Sequence, residues 1–362
     1  MHSVEEFDID AAFAQFGSCA SPRLDRTADD ADCSATIEEQ LQMLLSSQVN
    51  IDDEMQRGSS CVNTAKDEAD GFVDTLSLCA EDVPCTCLLI VFSSLSVQVD
   101  GSPPGSRFEM VGTARRAGAT HALFVRDTQQ AWYLRAHKPG GDAFGSTFSR
   151  VYAEVDRLQP SLVVCCGSSM GGHAAARCAM ELGRTGGSKT CRGHLRAVRA
   201  LCFGAQVCLH PHERAALGLP FATFDPALER LAAKAAGRGF ALRSLVDIAA
   251  RPIAEYACKT TLEMHVGAIA RGDVREAMLL QHAASTAAKS NPIVPDGAKA
   301  TGGGGGDSDS VDDHHNLLAV RVHVHERCGH ALVTGLHGQQ LDNMIAKQLR
   351  PPVPQVQASN NR

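Results

Sequence analysis

A glycine-flanked serine is the feature of this 362-residue sequence that most directly implies chemistry. The motif G-x-S-x-G runs from Gly167 to Gly171 and has Ser169 at its centre. A serine hydroxyl acts as a nucleophile when it stands on a sharp strand-to-helix turn, because the turn projects it above the sheet. The positions two residues away must be tiny, since strand and helix nearly touch there. Ser168 does not qualify, because neither position two residues from it is a glycine.

The segments beside this motif predict the strand and the helix that such a turn needs. Residues 161–166 form a continuous apolar run, which is typical of a strand covered on both faces. Residues 173–182 are mostly small and predict a helix whose N-terminus points at the serine. The alternative is a plain Gly/Ser turn without catalytic use. The motif becomes specific only through this context.

The rest of the chain alternates between strands and helices. Strands are predicted at 87–92, 121–125, 161–166, 195–203, 262–266 and 317–325, and helices at 108–117, 148–158, 173–182 and 341–349. This alternation predicts an α/β fold with a mostly parallel sheet that helices cover on both faces.

Charge divides the chain into an acidic segment and a body. The net charge of −7 combines 19 acidic and 4 basic residues up to Asp82, which is −15, with 22 acidic and 30 basic residues afterwards, which is +8. We predict a mostly disordered segment at 1–83 with one possible helix at 37–45, a catalytic domain at 84–350, and a disordered tail at 351–362. Within the domain, the Gly-rich stretch at about 286–315 predicts a flexible insertion.

On these residues the chain from Cys87 to about Leu349 resembles the α/β-hydrolase superfamily. It is most similar to serine-hydrolase-like members with an FVRD…WY stretch, which is here residues 124–127 followed by Trp132 and Tyr133. The segment around His330, Cys-Gly-His-Ala-Leu-Val, is similar to the histidine loop of that superfamily. The resemblance implies an α/β-hydrolase fold and an esterase, a thioesterase, a peptidase or a glycan acetyltransferase.

A catalytic histidine and acid are expected next, in the superfamily order nucleophile, acid, histidine. His330 fits from its position as well, because it follows the last predicted strand in a loop opened by Gly329. The resemblance implies Asp273 as the acid. An aspartate before a helix is often only an N-cap, so Asp247 and Asp225 remain alternative acids. The alternative for His330 is a purely structural role.

The remaining site residues follow from where they lie relative to the strands. The oxyanion hole is expected to use the backbone N–H of Met170 and one from Ser93 or Ser94, after the first strand, although the HGGG loop of other members is absent. Arg126 and Asp127 end the second strand and are predicted either to bind substrate or to pair with each other. The net charge of the body favours an anionic or neutral substrate.

Three other motifs are weaker. Residues 186–190 lack the glycine that a phosphate loop has before its lysine. His325 and His330 are five apart, so they would not share a helix face as zinc ligands do. A mixed metal site from His323, His325, Cys328 and His330 is conceivable, but the strand and loop context already accounts for these residues. We therefore predict no metal and no cofactor.

The general setting follows from composition. Many of the fourteen cysteines lie in apolar runs, and the N-terminus lacks a signal peptide, which together predict free thiols and a cytoplasmic protein. There is no long basic run to bind nucleic acid and no membrane span. We predict a serine esterase or thioesterase acting on a small-molecule or glycan acyl ester. The alternatives are acyl transfer to a hydroxyl, or a silent fold that binds a protein partner through its acidic segment.

Overall fold

A computed structural model describes thirteen stretches of the chain. They are residues 62–65, 73–80, 82–95, 108–134, 144–186, 194–219, 225–239, 242–252, 256–290, 318–326, 328–330, 332–336 and 338–351. All of them belong to a compact unit that spans residues 57–362.

One eight-stranded sheet organises this unit. Its strands are β1 (Val62–Ala65), β2 (Val73–Cys79), β3 (Cys87–Phe92), β4 (His121–Asp127), β5 (Leu162–Ser168), β6 (Ala197–Phe203), β7 (Lys259–Gly267) and β8 (Leu318–His325). Their order in the sheet is β1-β2-β4-β3-β5-β6-β7-β8. Only the β1–β2 and β2–β4 pairs are antiparallel. The predicted mostly parallel sheet is confirmed.

Helices connect the parallel strands and cover the sheet. They are α1 (Val111–Arg116), α2 (Gly145–Leu158), α3 (Met170–Thr185), α4 (Pro211–Ala216), α5 (Asp225–Arg238), α6 (Leu245–Ala249), α7 (Arg271–Ser290), α8 (Leu332–Gly335) and α9 (Gly338–Gln348). Helix α3 packs on β5 and β6, and α7 packs on β7 and β8. On the opposite face α1 and α9 are joined by a salt bridge between Arg116 and Asp342.

The central strands form the core. The side chains of β3 from Leu88 to Phe92 are at most 1% exposed, and those of β5 from Leu162 to Cys166 are fully buried. Strands covered on both faces lose the alternation of polar and apolar residues, which is why these segments are continuous apolar runs. Burying each large apolar side chain contributes about 1.5–3 kcal/mol, so these two strands anchor the fold.

The sheet begins earlier than the sequence predicted. Strands β1 and β2 lie within the segment 1–83, and β2 pairs with β4 along its whole length. Val73, Leu76 and Leu78 of β2 are buried, although acidic residues surround the strand in the sequence. The predicted domain start at residue 84 was therefore wrong. The possible helix at 37–45 lies outside the described residues.

Two further boundaries differ from expectation. Helix α3 passes Gly183 and ends at Thr185, where Gly186 adopts the left-handed conformation that commonly ends helices. Gly183 instead permits close packing, since a Cβ there would lie 1.9 Å from Thr260 Oγ1. Helix α7 continues to Ser290, into the predicted insertion. The remainder of that insertion, 291–315, and the tail from 352 lie outside the described residues.

Candidate active site

Ser169 stands on a strained turn between β5 and α3. Its backbone has φ 51° and ψ −117°, a conformation that costs energy for a residue with a Cβ. Hydrogen bonds hold the turn: the N–H of Ser169 donates to the carbonyl of Phe203 at 2.7 Å, and the N–H of His173 donates to the carbonyl of Ser169 at 3.1 Å. This is the strand–turn–helix geometry predicted from the motif.

The two flanking glycines permit backbone contacts that no other residue would allow. A Cβ on Gly167 would lie 2.3 Å from the carbonyl oxygen of Gly171. A Cβ on Gly171 would lie 2.1 Å from the carbonyl oxygen of Phe92 at the end of β3. The glycines therefore bring the serine turn against the end of the neighbouring strand.

The structure brings Ser169, His330 and Asp273 into one chain of hydrogen bonds. The hydroxyl oxygen of Ser169 is 3.0 Å from Nε2 of His330. Nδ1 of His330 is 2.7 Å from Oδ2 of Asp273. The three residues follow β5, β8 and β7, and the carboxyl ends of parallel strands lie at one edge of a sheet. All three predicted residues meet there.

The protonation of this pair follows from its partners. A carboxylate only accepts hydrogen bonds, so Nδ1–H of His330 donates to Asp273 and leaves Nε2 to accept the Ser169 proton. Burial alone would lower the pKa of His330. The hydrogen bond and the negative charge of Asp273 outweigh burial, so the pKa of His330 is raised above its ordinary value. Asp273 is 6% exposed, which shields this interaction from solvent.

The hydrogen bond to His330 favours Asp273 over the other candidate acids. Asp247 lies on α6, in the first turn capped by the Ser244 hydroxyl. Asp225 begins α5. Neither helix follows β7 directly, whereas Asp273 lies in the first turn of α7, six residues after that strand ends.

Two more glycines let the histidine loop pack onto the strand ends. Gly204, at φ 53°, would place a Cβ 2.9 Å from the carbonyl oxygen of His330 and 3.3 Å from Oδ2 of Asp273. A Cβ on Gly267 would lie 2.2 Å from the carbonyl oxygen of Cys328. Sequence reasoning did not identify either glycine, because their partners are distant along the chain.

Gln206 is a site residue that the sequence did not reveal. Its Nε2 lies 3.2 Å from the Ser169 hydroxyl oxygen and 3.2 Å from the carbonyl oxygen of Gly204. Its Oε1 accepts a hydrogen bond from the indole N–H of Trp132 at 3.2 Å. His173 fixes the backbone, with Nδ1 2.7 Å from the carbonyl oxygen of Gln206. The amide is thus held as a donor toward the nucleophile.

The FVRD…WY stretch positions the residues that contact the Gln206 amide. Asp127 is 1% exposed, and its carboxylate accepts the N–H groups of Gln129, Ala131 and Tyr133 at 2.6–2.9 Å. The turn carries Trp132 to Gln206, while the Tyr133 hydroxyl lies 2.8 Å from the carbonyl oxygen of Ser93. The backbone thus occupies the carboxylate of Asp127. Its predicted contact with substrate or with Arg126 stays a prediction.

Arg126 lies at the end of β4, where it was predicted to meet substrate. Its guanidinium stands 4.7 Å from the centre of the Phe108 ring, a cation–π contact. The contact orients the guanidinium at the end of the strand. Its predicted role toward an anionic substrate group stays a prediction.

The expected oxyanion donors have different surroundings. Met170 is the first residue of α3, so its N–H has no acceptor within the helix. The N–H of Ser93 donates to the carbonyl of Val125 at 3.0 Å and is thereby used. The hydroxyl of Ser94 donates to the carboxylate of Glu109, and the backbone N–H of Ser94 lies close to the same carboxylate. Burial raises the pKa of Glu109, and the hydrogen bonds from Ser94 oppose the rise.

A buried ion pair fixes the loop that carries Gln206. Glu276 of α7 accepts the N–H groups of Val207 and Cys208 at 2.5 and 3.1 Å. Its other oxygen is 2.6 Å from Nη1 of Arg214, which also donates to the carbonyl of Cys208. A buried charge without such partners would be costly, so these contacts tie the segment 207–219 to the domain. Part of that segment is α4.

The weaker motifs have ordinary structural uses. Gly186 caps α3, and residues 187–193 lie outside the described residues. His325 ends β8 and His330 lies in the loop beyond it, so they do not form a zinc helix. None of the helices in the described stretches is both long and apolar enough to cross a membrane. All ten cysteines in those stretches are free thiols.

The sheet and the site together define the class of fold. An eight-stranded, mostly parallel sheet has a strained serine turn after β5, an acid after β7 and a histidine after β8. This is the α/β-hydrolase fold, with the residues in its order of serine, acid, histidine. The resemblance of the FVRD…WY stretch to one subgroup stays a prediction.

Comparisons with known proteins found similarity in structure only. No protein-family model and no curated protein matches the sequence. Similar solved structures include an esterase from Pyrobaculum calidifontis, at 10% identity and a TM-score of 0.48, covering 87% of this chain and 93% of that one. An S-formylglutathione hydrolase from Agrobacterium tumefaciens has 14% identity and a TM-score of 0.43, and the match covers 80% of this chain and 95% of that one. A capsule O-acetyltransferase of Neisseria meningitidis serogroup A has 8% identity and a TM-score of 0.45, and the match covers 78% of this chain and 98% of that one.

Proposed function

We propose that this protein is a serine hydrolase, of the esterase or thioesterase kind, that cleaves acyl esters. The observation that carries the proposal is the chain of hydrogen bonds from Ser169 through His330 to Asp273, at 3.0 and 2.7 Å. The strained turn and the half-buried histidine make the serine hydroxyl reachable while Asp273 remains buried. Each feature is what covalent catalysis by serine requires.

Acylation begins when the Ser169 hydroxyl attacks the ester carbonyl. Nε2 of His330 takes the hydroxyl proton, and the negative charge of Asp273 stabilises the imidazolium that forms. The carbonyl oxygen becomes an oxyanion, toward which the free N–H of Met170 donates. His330 then gives the proton to the departing alkoxide or thiolate, and an acyl-serine remains.

Deacylation repeats these steps with water as the nucleophile. His330 accepts a proton from water as it attacks the acyl-serine, and the collapse of the second tetrahedral intermediate returns the proton to Ser169. If an alcohol enters in place of water, the same residues transfer the acyl group. Hydrolysis and transfer therefore differ in which acceptor reaches the acyl-enzyme.

A fluorophosphonate probe tests for an activated serine. We expect covalent labelling of the full chain at neutral pH, and loss of labelling in Ser169→Ala. Ser168→Ala is the matched control and should label normally, because it changes the adjacent hydroxyl. Absence of labelling in well-folded wild-type protein would support the alternative, a silent fold that binds a partner.

A panel of nitrophenyl esters and acyl thioesters then defines the reaction. We expect kcat to fall at least about 1,000-fold in Ser169→Ala, since removal of a catalytic serine abolishes the covalent route. Product analysis with an added acceptor alcohol separates hydrolysis from acyl transfer. Free acid as the main product supports hydrolysis, whereas an ester of the acceptor supports transfer, for which a sugar hydroxyl is the first acceptor to test.

We also propose a substrate class, a cellular compartment and a protein partner. The basic excess of the body and the cation of Arg126 favour a neutral or anionic small molecule as substrate. We place the protein in the cytoplasm, in keeping with its free thiols. The acidic segment before residue 83 is proposed to bind a protein partner.

A further inference from the structure

A second cavity lies apart from the serine site, on the face of the sheet that α9 covers. Its volume is about 580 Å³, and residues from β6, β7, β8 and α9 line it. None of the three residues Ser169, Asp273 and His330 is in its wall. One end of the cavity is formed by Glu263, His265 and His323.

The strand register explains why these three side chains converge. Side chains two apart on a strand point to the same face, so Glu263 and His265 of β7 are neighbours. His323 of β8 is the direct partner of His265 across the parallel pair. One potential ligand atom from each of the three lies within 4.8 Å of the other two.

The contacts around the cluster hold its three side chains close together. Oε2 of Glu263 makes a short contact with Nε2 of His323, and Oε1 is held by Arg321 at 3.0 Å. The rings of His265 and His323 are stacked at 4.5 Å and 13°. Nδ1 of His265 is 3.0 Å from Nε2 of His325, so a neighbour already orients this ring.

We propose that Glu263, His265 and His323 form a binding site for a divalent transition-metal ion of the zinc class. Two imidazoles and one carboxylate are a ligand set that zinc accepts, with one coordination position left for water or another ligand. The adjoining cavity supplies that open position. Arg321 on the second carboxylate oxygen and His325 on the second ring nitrogen match the outer partners that orient metal ligands.

The positive charges of the cavity lie mostly at its other end. Arg196, Arg199, Lys259, Lys347 and Arg350 also line the wall. Lys259 is six residues before His265, which corresponds to about 20 Å along a strand. At the histidine end Arg321 is paired with Glu263, and Arg199 also lies near enough to interact with that carboxylate. The negative charge of Glu263 therefore offsets the basic side chains nearest to the ion.

The site would join β7 to β8, the two strands that lead to Asp273 and His330. An ion that binds the folded chain alone stabilises it by mass action. At a concentration 100 times its dissociation constant, zinc should raise Tm by about 4 °C for a domain of this size. This effect is measured without any assay of activity.

Calorimetric titration of the metal-free full chain with zinc tests the proposal, with His323→Ala and Glu263→Gln as variants. We expect a site in the wild type that each variant weakens at least tenfold, with loss of the rise in Tm. His212→Ala, which removes an exposed histidine on α4, is the matched control and should bind normally. Circular dichroism verifies that each metal-free variant is folded.

Cobalt identifies the ligand atoms, because thiolates give it a charge-transfer band that histidine and carboxylate do not. We expect the wild-type protein to give a spectrum of bound cobalt without this band. That spectrum should be lost in His323→Ala and should persist in Cys328→Ser. The proposal is overturned if folded wild type and His323→Ala bind zinc alike, if Cys328→Ser alone removes the binding, or if wild type binds none. The last result would identify the cluster as a structural network of hydrogen bonds.

Discussion

The carboxylate of Glu109 accepts a hydrogen bond from the hydroxyl of Ser94, and the backbone N–H of Ser94 lies close to the same carboxylate. Ser94 is the residue from which the second oxyanion donor is expected. Its N–H thus lies beside the half-buried carboxyl group of Glu109, at the place where a reaction would develop negative charge. Acylation that uses this donor requires Glu109 to move or to be neutralised.

Replacing Glu109 by Gln should therefore accelerate acylation. The amide cannot repel the oxyanion and holds the Ser94 N–H less strongly, and one oxyanion donor is worth about 10²–10³ in kcat. We expect fluorophosphonate labelling at least about tenfold faster than in wild type. Glu229→Gln, an exposed carboxylate on α5, is the control and should leave the rate unchanged. A slower rate in Glu109→Gln would show that the carboxylate supports the loop and does not block it.

Gln206 should contribute through its donor group. In Gln206→Glu the side chain can still accept from Trp132, but it no longer donates to Ser169. We expect kcat/KM for an activated ester to fall about 10–100-fold, and Tm to fall as well, because residue 206 is buried and the new carboxylate would face the carbonyl oxygen of Gly204. Gln339→Ala, an exposed amide on α9, should have no effect. An unchanged kcat/KM in folded Gln206→Glu would exclude this role.

The raised pKa of His330 determines the acid limb of the pH profile. Catalysis requires neutral Nε2, and that form is lost as the pH falls through a pKa above the ordinary value near 6.5. A plot of kcat/KM against pH should thus reach half its maximum above pH 6.5. In Asp273→Asn burial dominates, so the limb should move to lower pH while kcat drops by about 10⁴. Asp247→Asn should leave the acid limb and kcat unchanged. A shift of the acid limb in Asp247→Asn would identify Asp247, and not Asp273, as the partner of His330.

Replacing Gly204 and Gly218 by Ala in turn distinguishes steric crowding at the site from backbone strain. Gly204 and Gly218 both have positive φ, but only Gly204 would place a Cβ against His330, since nothing lies within 4 Å at Gly218. Each change to Ala should cost about 1 kcal/mol of stability or somewhat more through the backbone. Activity should fall at least tenfold in Gly204→Ala alone. Thermal unfolding and ester hydrolysis measure the two effects, and equal activity of both variants would contradict the predicted crowding.

The sequence by itself determined the elements that local chemistry specifies. Continuous apolar runs indicated β3, β4 and β5, because strands buried on both faces leave no polar positions, and alternating apolar residues indicated β8. The motif around Ser169 indicated the strained turn, because Gly167 is required by a backbone contact with Gly171 only four residues away, whereas the contact of Gly171 with Phe92 forms only in the folded sheet. His330 and Asp273 were indicated by their order after later strands. By contrast, β2 was missed, because acidic residues surround it and its partner β4 lies about 50 residues further along the chain.

Only the tertiary structure decided what the other polar residues do. Asp127 looked like a substrate ligand at a strand end, but folding turned the chain so that three backbone N–H groups surround its carboxylate. Gln206 reaches Ser169, and Glu109 reaches Ser94, through loops whose paths no local pattern specifies. His265 and His323 meet because the register of β7 and β8 places them side by side. Such contacts join residues far apart in sequence, so they exist only once the sheet has assembled.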